Sequence, residues 1–305
     1  MRIIKPSVEI LEQGPGLEGI YKQIERCGRV CYKSEDKIAE GTAKPFVDML
    51  IKSGHGAMLE HGAVYLQMPL DEWKDCYKLA PMHGRTTVTV MEETNTAFVS
   101  TNYRVIVEQG LLDLLDKWLC TNPEPMHEKR VTVLFNTQIA ISREYNRHRV
   151  NSIAESSTRY CNYSKNKYGS EITVNLPTWI LDNDIKTECL FPNLSMDSGL
   201  LKSYCDYISK GDDDRFSGID WWLFANLACE MSYMKLIEAG WKAQQARTIL
   251  PLNTNTELVH TAFVYDWQHF FSLRCANSAH PDARYLADKL HELFLAKKLA
   301  YVGDK

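Results

Sequence analysis

The chain has 305 residues, of which 45% are hydrophobic and 24% are charged, and its net charge is −4 at neutral pH. These values predict a soluble globular protein with a sizeable core, and the acidic balance argues against a protein that coats nucleic acid. Because no apolar run is long enough to span a membrane and the first residues lack the apolar core of a secretory signal, we expect a cytoplasmic protein without a membrane or nucleic-acid partner.

Short strands and helices alternate through the first part of the chain. The predicted strands end at turn residues, the first at Gly14-Pro15-Gly16 and the second at Pro69, and the first helix is expected to stop at Gly28. In chain order, these elements are a strand over 8–11, helices over 17–27 and 44–52, and a strand over 63–68.

The segment 69–128 has a less regular pattern. It contains strand-like pieces over 86–91 and 96–101 and a helix-like piece over 111–119. Beyond it, a strand over 131–135 precedes Asn136 and Thr137, either of which could cap a helix that runs to about Arg147. A further strand is predicted over 171–176.

The C-terminal third is mostly helical in pattern. An apolar stripe that ends at Gly240 is formed by Leu223, Leu227, Met231 and Met234, and further helices are predicted over 242–249, 265–273 and 281–296. The mixture predicts an α+β fold, with a central, mostly antiparallel sheet flanked by helices. We interpret residues 1–305 as one domain with an insertion at about 69–128.

The cysteines and histidines do not indicate a metal site. The nine cysteines are an odd number without a Cys-x-x-Cys pair, which argues against a disulfide framework and a zinc ribbon. His55 and His61 could be mistaken for metal ligands, but no third histidine or cysteine lies at a fitting spacing. We therefore expect reduced thiols and no bound metal.

The densest chemistry lies between residues 143 and 160. A helix would place Arg143 and Arg147 on one face, and Arg149, Ser157 and Arg159 follow in less regular backbone. Guanidinium and hydroxyl groups bind phosphate well, although a charged run can equally be a solvated helix end. The interleaved Ser, Asn and Tyr residues, with no acidic run after them, favour an anion site.

The same segment resembles a known family. Arg147-His148-Arg149, followed after seven residues by Ser157, is similar to the RHRx7S signature of flavin-dependent thymidylate synthases, and Ser152, Arg159 and Tyr160 fit its wider pattern. Further segments that resemble elements of this family occur in order along the chain, at residues 29–32, 54–61, 246–251 and 267–274.

The resemblance implies an activity and a set of ligands. Members of the family methylate dUMP to dTMP with bound FAD, methylenetetrahydrofolate as one-carbon donor and NADPH as reductant. They form homotetramers whose active sites are shared between subunits. The cofactor carries the redox chemistry, while the protein positions and polarises the substrate.

The resemblance also implies roles for particular residues. Arg274 is expected to be catalytic, because its guanidinium would stabilise negative charge on the uracil ring without donating a proton. The residues implied for dUMP binding are Glu144, Arg147, Glu155, Ser156, Ser157, Thr158, Arg159, Arg247 and Arg274. The residues implied for FAD binding are His55, Ala57, Glu60, Arg147, His148, Arg149, Glu155, Phe263, Tyr265 and His269.

Four positions depart from the commonest pattern of the family. Glu144 stands where many members have glutamine, and Ala57 stands where a hydroxyl often contacts FAD. Phe263 and Tyr265 stand where many members have asparagine and arginine. We expect a divergent subgroup in which the segment 69–128 compensates for altered FAD contacts.

Two other functions stay open at this point. One is a flavin-dependent uridine methyltransferase acting on RNA, against which the acidic net charge argues. The other is a non-catalytic nucleotide-binding homologue, against which the joint presence of Arg147, Ser157, Arg159, Arg247 and Arg274 argues.

Overall fold

The computed structural model describes residues 1–77, 86–166, 169–180 and 182–299. Its strands are β1 Arg2–Ile4, β2 Ser7–Leu11, β3 Ala63–Pro69, β4 Thr87–Met91, β5 Thr96–Asn102, β6 Arg130–Gln138, β7 Ser152–Glu155, β8 Thr173–Asn175 and β9 Asn255–Phe263. Its helices are α1 Gly16–Val30, α2 Ala43–Lys52, α3 Gly56–Leu59, α4 Leu70–Tyr77, α5 Tyr103–Glu108, α6 Leu112–Trp118, α7 Ile139–Tyr145, α8 Asp182–Thr187, α9 Ser198–Lys210, α10 Gly218–Glu238, α11 Ala243–Ala246, α12 Val264–Arg274 and α13 Pro281–Ala296.

An antiparallel sheet with strand order β2-β6-β9-β7 organises the fold. A second antiparallel sheet has the order β3-β5-β4, and β1 pairs with β8 in parallel. The predicted α+β class with mostly antiparallel sheets is therefore confirmed. Because β9 lies between β6 and β7, it connects the strand before the arginine-rich segment to the strand inside it.

Helix α12 packs on the central sheet through aromatic side chains. Trp267 and Phe270 are fully buried, and the Phe270 ring lies 6.0 Å from that of Phe135 on β6 and 5.0 Å from that of Tyr145 on α7. Leu286 and Leu290 of α13 belong to the same cluster. Buried aromatic rings contribute large apolar areas, so this cluster fixes the last turn of α12 relative to α7.

The segment 69–128 forms a second core with the strand that precedes it. β3 pairs with β5 from Ala63↔Asn102 to Pro69↔Thr96, and the strand and helix pieces predicted in this segment are confirmed as β4, β5 and α6. Val64, Leu66 and Val99 are buried between this sheet and the neighbouring helices. That the segment is an insertion stays a prediction.

The prediction that α1 stops at Gly28 is wrong. The helix continues to Val30, and a Cβ atom at residue 28 would lie 2.9 Å from Cε1 of Phe46 on α2. Glycine is therefore needed at this position for close helix packing and not for a turn.

The prediction that Asn136 or Thr137 caps a helix is also wrong. β6 runs through both residues, which pair with Glu257 and Thr256 of β9, and α7 begins only at Ile139. Arg147 consequently lies beyond the end of α7. Ladder pairing with a strand distant in sequence overrode a local capping signal.

The C-terminal third is less helical than its pattern indicated, because β9 was missed. Its buried Thr256, His260 and Thr261 interrupt the apolar alternation by which a strand is recognised. Strands β1 and β7 and helices α8 and α9 were also missed. Within the described ranges, no helix combines the length and apolar character needed to cross a bilayer.

Gly19 provides a test of how tightly α1 is seated. A Cβ atom at this position would lie 1.9 Å from the Gly14 carbonyl oxygen, which is backbone and cannot rotate away. Gly19→Ala should lower the free energy of unfolding by about 1–3 kcal/mol, measured by urea denaturation. Gly218→Ala is the matched control, because nothing lies within 4 Å of the added atom. Equal stability of the two variants would contradict the packing at Gly14.

Candidate active site

Arg274, at the end of α12, joins two elements that are distant in sequence. Its Nε donates to Nε2 of His148 at 3.1 Å, and its Nη1 donates to Oε2 of Glu144 at 2.8 Å. Its Nη2 donates to the backbone carbonyl of Glu144. The residue expected to be catalytic therefore lies against the Arg147-His148-Arg149 segment, although 126 positions separate it from His148 in the sequence.

His148 is buried and neutral in this arrangement. Burial, together with the neighbouring Arg274 and His269, lowers its pKa to about 4. Because Arg274 donates to Nε2, that nitrogen must act as acceptor and the ring proton lies on Nδ1. The His148 ring lies 4.9 Å from Phe270 and 5.9 Å from the exposed His269.

The residues expected at the dUMP phosphate form a second cluster. Nη1 of Arg247 donates to the Thr158 hydroxyl at 3.2 Å, and Nε of Arg159 donates to Oε1 of Gln244 at 3.2 Å. The Ser157 hydroxyl accepts from the Arg159 amide at 3.3 Å, which turns the backbone at this point. Arg159 and Arg247 are both exposed, so their remaining N–H donors face solvent.

Glu155 and Ser156 are already engaged within the chain. The Glu155 carboxylate accepts from Asn146 at 3.1 Å and from the Thr256 hydroxyl at 3.0 Å. The Ser156 amide donates to the Glu257 carbonyl at 2.9 Å. Both residues lie at the end of β7, where its pairing with β9 holds them in place.

Arg147 and Arg149 have exposed side chains on either side of buried His148. Within the described ranges, no side-chain hydrogen bond or ion pair engages either guanidinium group. Two such groups at adjacent surface positions favour an anionic ligand over a role in the fold.

The early residues expected to bind FAD lie around the short helix α3. His55 and Ala57 are exposed, whereas the Glu60 carboxylate pairs with Arg104 at 2.7 Å and accepts from the Ser152 hydroxyl at 2.7 Å. This contact brings α3 against β7, next to the signature. At His55, it is the backbone amide that caps α2, by donating to the Leu50 carbonyl.

Phe263 and Tyr265 form a cluster with Arg130. Phe263 is fully buried, and its ring stacks on that of Tyr265 with centroids 5.5 Å apart. The guanidinium of Arg130 lies over the Phe263 ring at 5.0 Å from its centroid, and Arg130 also donates to the Glu60 carbonyl at 3.1 Å. Arg104 and Arg130 were missed in the sequence, because only the fold brings them beside Glu60.

Comparison with known proteins identifies the family. A sequence model of the family described as thymidylate synthase complementing protein matches residues 83–298. The chain belongs to this family, that of the flavin-dependent thymidylate synthases. The resemblance inferred from the signature is thereby confirmed.

Curated relatives match a shorter part of the chain. The flavin-dependent thymidylate synthase of Synechocystis sp. and a protein described as a probable one, from Paramecium bursaria Chlorella virus 1, are each 35% identical over 63 residues. This match spans 21% of this family member and 29% of each relative, so the chain covers under a third of their length.

Solved structures show a more distant likeness. Two crystal structures of the UMP/dUMP methylase PolB from Streptomyces cacaoi, bound with 5-Br UMP and 5-Br dUMP, share 15% identity with this family member. The TM-scores are 0.39 and 0.40, over 98% of this chain and 92% and 93% of the PolB chains. A likeness of this degree carries no conclusion about the substrate of this chain.

Three buried histidines, His61, His148 and His260, lie close together in this family member. His260 on β9 lies close enough to His61 and His148 to interact with both electrostatically. Its Nδ1 atom is hydrogen-bonded to the side-chain amide of Asn151 at 3.1 Å. His61 bonds to the Thr261 hydroxyl at 2.8 Å. Among the described residues, no group of His, Cys, Asp or Glu is arranged to hold a metal ion.

These three buried histidines predict a loss of stability in acid. Burial lowers the pKa of His148 to about 4 and those of His61 and His260 to about 3, from the ordinary value of 6.5. Between these lowered pKa values and pH 6.5, the histidines of the unfolded chain bind more protons than those of the folded chain. The contribution of these histidines to the free energy of unfolding should therefore be complete above about pH 6.5, and it should decrease as the pH falls towards about 4.

The measurement is urea unfolding at several pH values across this window. His260→Gln removes one of the three groups and should make the decrease in stability with falling pH shallower. An unchanged pH slope in the variant would contradict the assignment of His260 as a buried neutral group.

Proposed function

We propose that this chain is an FAD-dependent thymidylate synthase, which converts dUMP to dTMP with methylenetetrahydrofolate as one-carbon donor and NADPH as reductant. The observation that carries the proposal is the contact of Arg274 with His148 and Glu144, because it joins two family elements at one point. A second contact, of Arg247 with Thr158, brings a third element to the same segment.

The cluster of Ser157, Arg159 and Arg247 suits the phosphate of dUMP. Its two exposed guanidinium groups can bind phosphate oxygens in pairs, and the serine hydroxyl adds a short hydrogen bond. Binding a phosphate explains Ser157 without a nucleophilic role. The Ser157 hydroxyl accepts from the Arg159 amide, which is not a base that could activate a hydroxyl.

Arg274 suits the pyrimidine ring. A guanidinium remains protonated at neutral pH, so it stabilises negative charge on a ring oxygen or N3 and does not transfer a proton. The His148 ring and the Glu144 backbone carbonyl hold two of its nitrogen atoms in place, so little reorganisation is needed when charge develops. Negative charge stabilised in this way makes C5 of the ring nucleophilic.

The residues present fit a flavin nucleotide along one part of the expected site. Arg147 and Arg149 offer exposed guanidinium groups to a pyrophosphate, and His269 is exposed beside His148. Phe263 does not fit, because it is fully buried beneath Arg130. When bound, FAD would supply the hydride for the reaction, while Arg147, His148 and Arg149 would hold and orient it.

We also propose a cytoplasmic homotetramer with shared active sites. The side chains of Arg147 and Arg149 are exposed, which supports a shared site. A ligand bound to this surface would need residues of another subunit to enclose it. RNA as substrate is disfavoured by the net charge of −4.

The first test is flavin binding and turnover. The purified chain loaded with FAD should be yellow and should oxidise NADPH faster when dUMP is added, because dUMP completes the site beside the flavin. Absorbance spectra and the rate of NADPH loss measure the two effects. A folded chain that cannot be loaded with FAD would falsify the proposal.

The second test concerns Arg274. Arg274→Ala should lower dTMP formation by at least about 100-fold while FAD stays bound, because the group that stabilises the ring charge is lost. Arg284→Ala is the control, since Arg284 contacts exposed Asn277 and Asp288 away from the site. Near-normal turnover in Arg274→Ala would remove the catalytic role and favour a non-catalytic homologue.

A further inference from the structure

All three nitrogen atoms of the Arg274 guanidinium donate hydrogen bonds to the segment around Glu144. Nε donates to the His148 ring, Nη2 to the Glu144 backbone carbonyl and Nη1 to the Glu144 carboxylate. The first two acceptors belong to a buried ring and to the backbone. The third is the end of a flexible side chain, so the contacts differ in how easily they can be exchanged.

The backbone at Glu144 is held by its neighbour in the chain. Tyr145 is fully buried, donates from its hydroxyl to the Ala283 carbonyl at 2.7 Å and packs against Phe270. The Glu144 carbonyl is therefore fixed in place. The Glu144 side chain is 33% exposed, whereas that of Arg274 is only 14% exposed. The carboxylate can rotate into solvent while the guanidinium stays in place.

We propose that the Glu144 carboxylate is a displaceable occupant of Arg274, covering Nη1 in the empty site and leaving when a pyrimidine ring binds. The inference rests on the proposed function, since it takes dUMP as the ring ligand. After the exchange, His148 and the Glu144 carbonyl still hold Nε and Nη2. A ring oxygen then accepts from Nη1 in the position that Oε2 of Glu144 occupies now.

This role gives a physical reason for a carboxylate at residue 144. A largely buried guanidinium without a counter-charge is unfavourable, and Glu144 supplies that charge while no ligand is present. The ring must then compete with a full negative charge for Nη1. Glu144 thus competes with dUMP for Arg274 and is not the dUMP contact that the family resemblance implies, so a neutral side chain of the same shape should strengthen dUMP binding.

The experiment is calorimetric titration of dUMP into the FAD-loaded chain, without folate. Glu144→Gln keeps the shape and removes the charge, and Glu144→Ala removes the acceptor altogether. Both should bind dUMP about three- to tenfold more tightly than wild type, because a partly exposed ion pair no longer has to be broken. Glu238→Gln is the control, since Glu238 forms an exposed ion pair with Lys235 on α10, and its affinity should equal that of wild type.

The sign of the change distinguishes this role from a structural one. If Glu144 only fixed the orientation of Arg274, removing its carboxylate would weaken dUMP binding. Unchanged or weaker binding in Glu144→Gln, or weaker binding in Glu144→Ala, overturns the inference and leaves the proposed function intact. A wild-type chain that binds FAD but no dUMP contradicts the proposed function, and this inference fails with it.

Discussion

The hydrogen bond from Arg274 to His148 is the contact on which the site depends. It requires the last turn of α12 to lie beside the loop after α7, although 126 positions separate the two residues. Trp267 and Phe270 meet this requirement by packing α12 onto the central sheet. The aromatic core therefore places the family element that contains Arg274 within hydrogen-bonding distance of the element that contains His148.

Charge at the site is arranged so that buried groups are neutral or paired. His148, His61 and His260 are held neutral by burial, which lowers the pKa of each. Arg274, which stays charged, is paired with Glu144. The guanidinium groups of Arg147 and Arg149 are exposed, so an anionic ligand can reach them.

Local patterns in the sequence predicted much of the fold and the residue types of the site. The signature at residues 147–157 identified the family, and the apolar spacing identified α1, α10 and α13. Two of the misses come from contact between distant residues. β9 carries buried His260 and Thr261 because they bond to Asn151, His61 and Thr132, and no local pattern indicates such partners. Gly28 likewise reflects the nearby Phe46 ring on another helix.

We propose that this chain methylates dUMP at a site assembled around Arg274. The most direct measurement is product analysis by mass spectrometry after incubating the FAD-loaded chain with dUMP, methylenetetrahydrofolate and NADPH. We expect dTMP to form only when all three are present. A folded, FAD-loaded chain that forms no dTMP, or that methylates uridine in RNA instead, would contradict it.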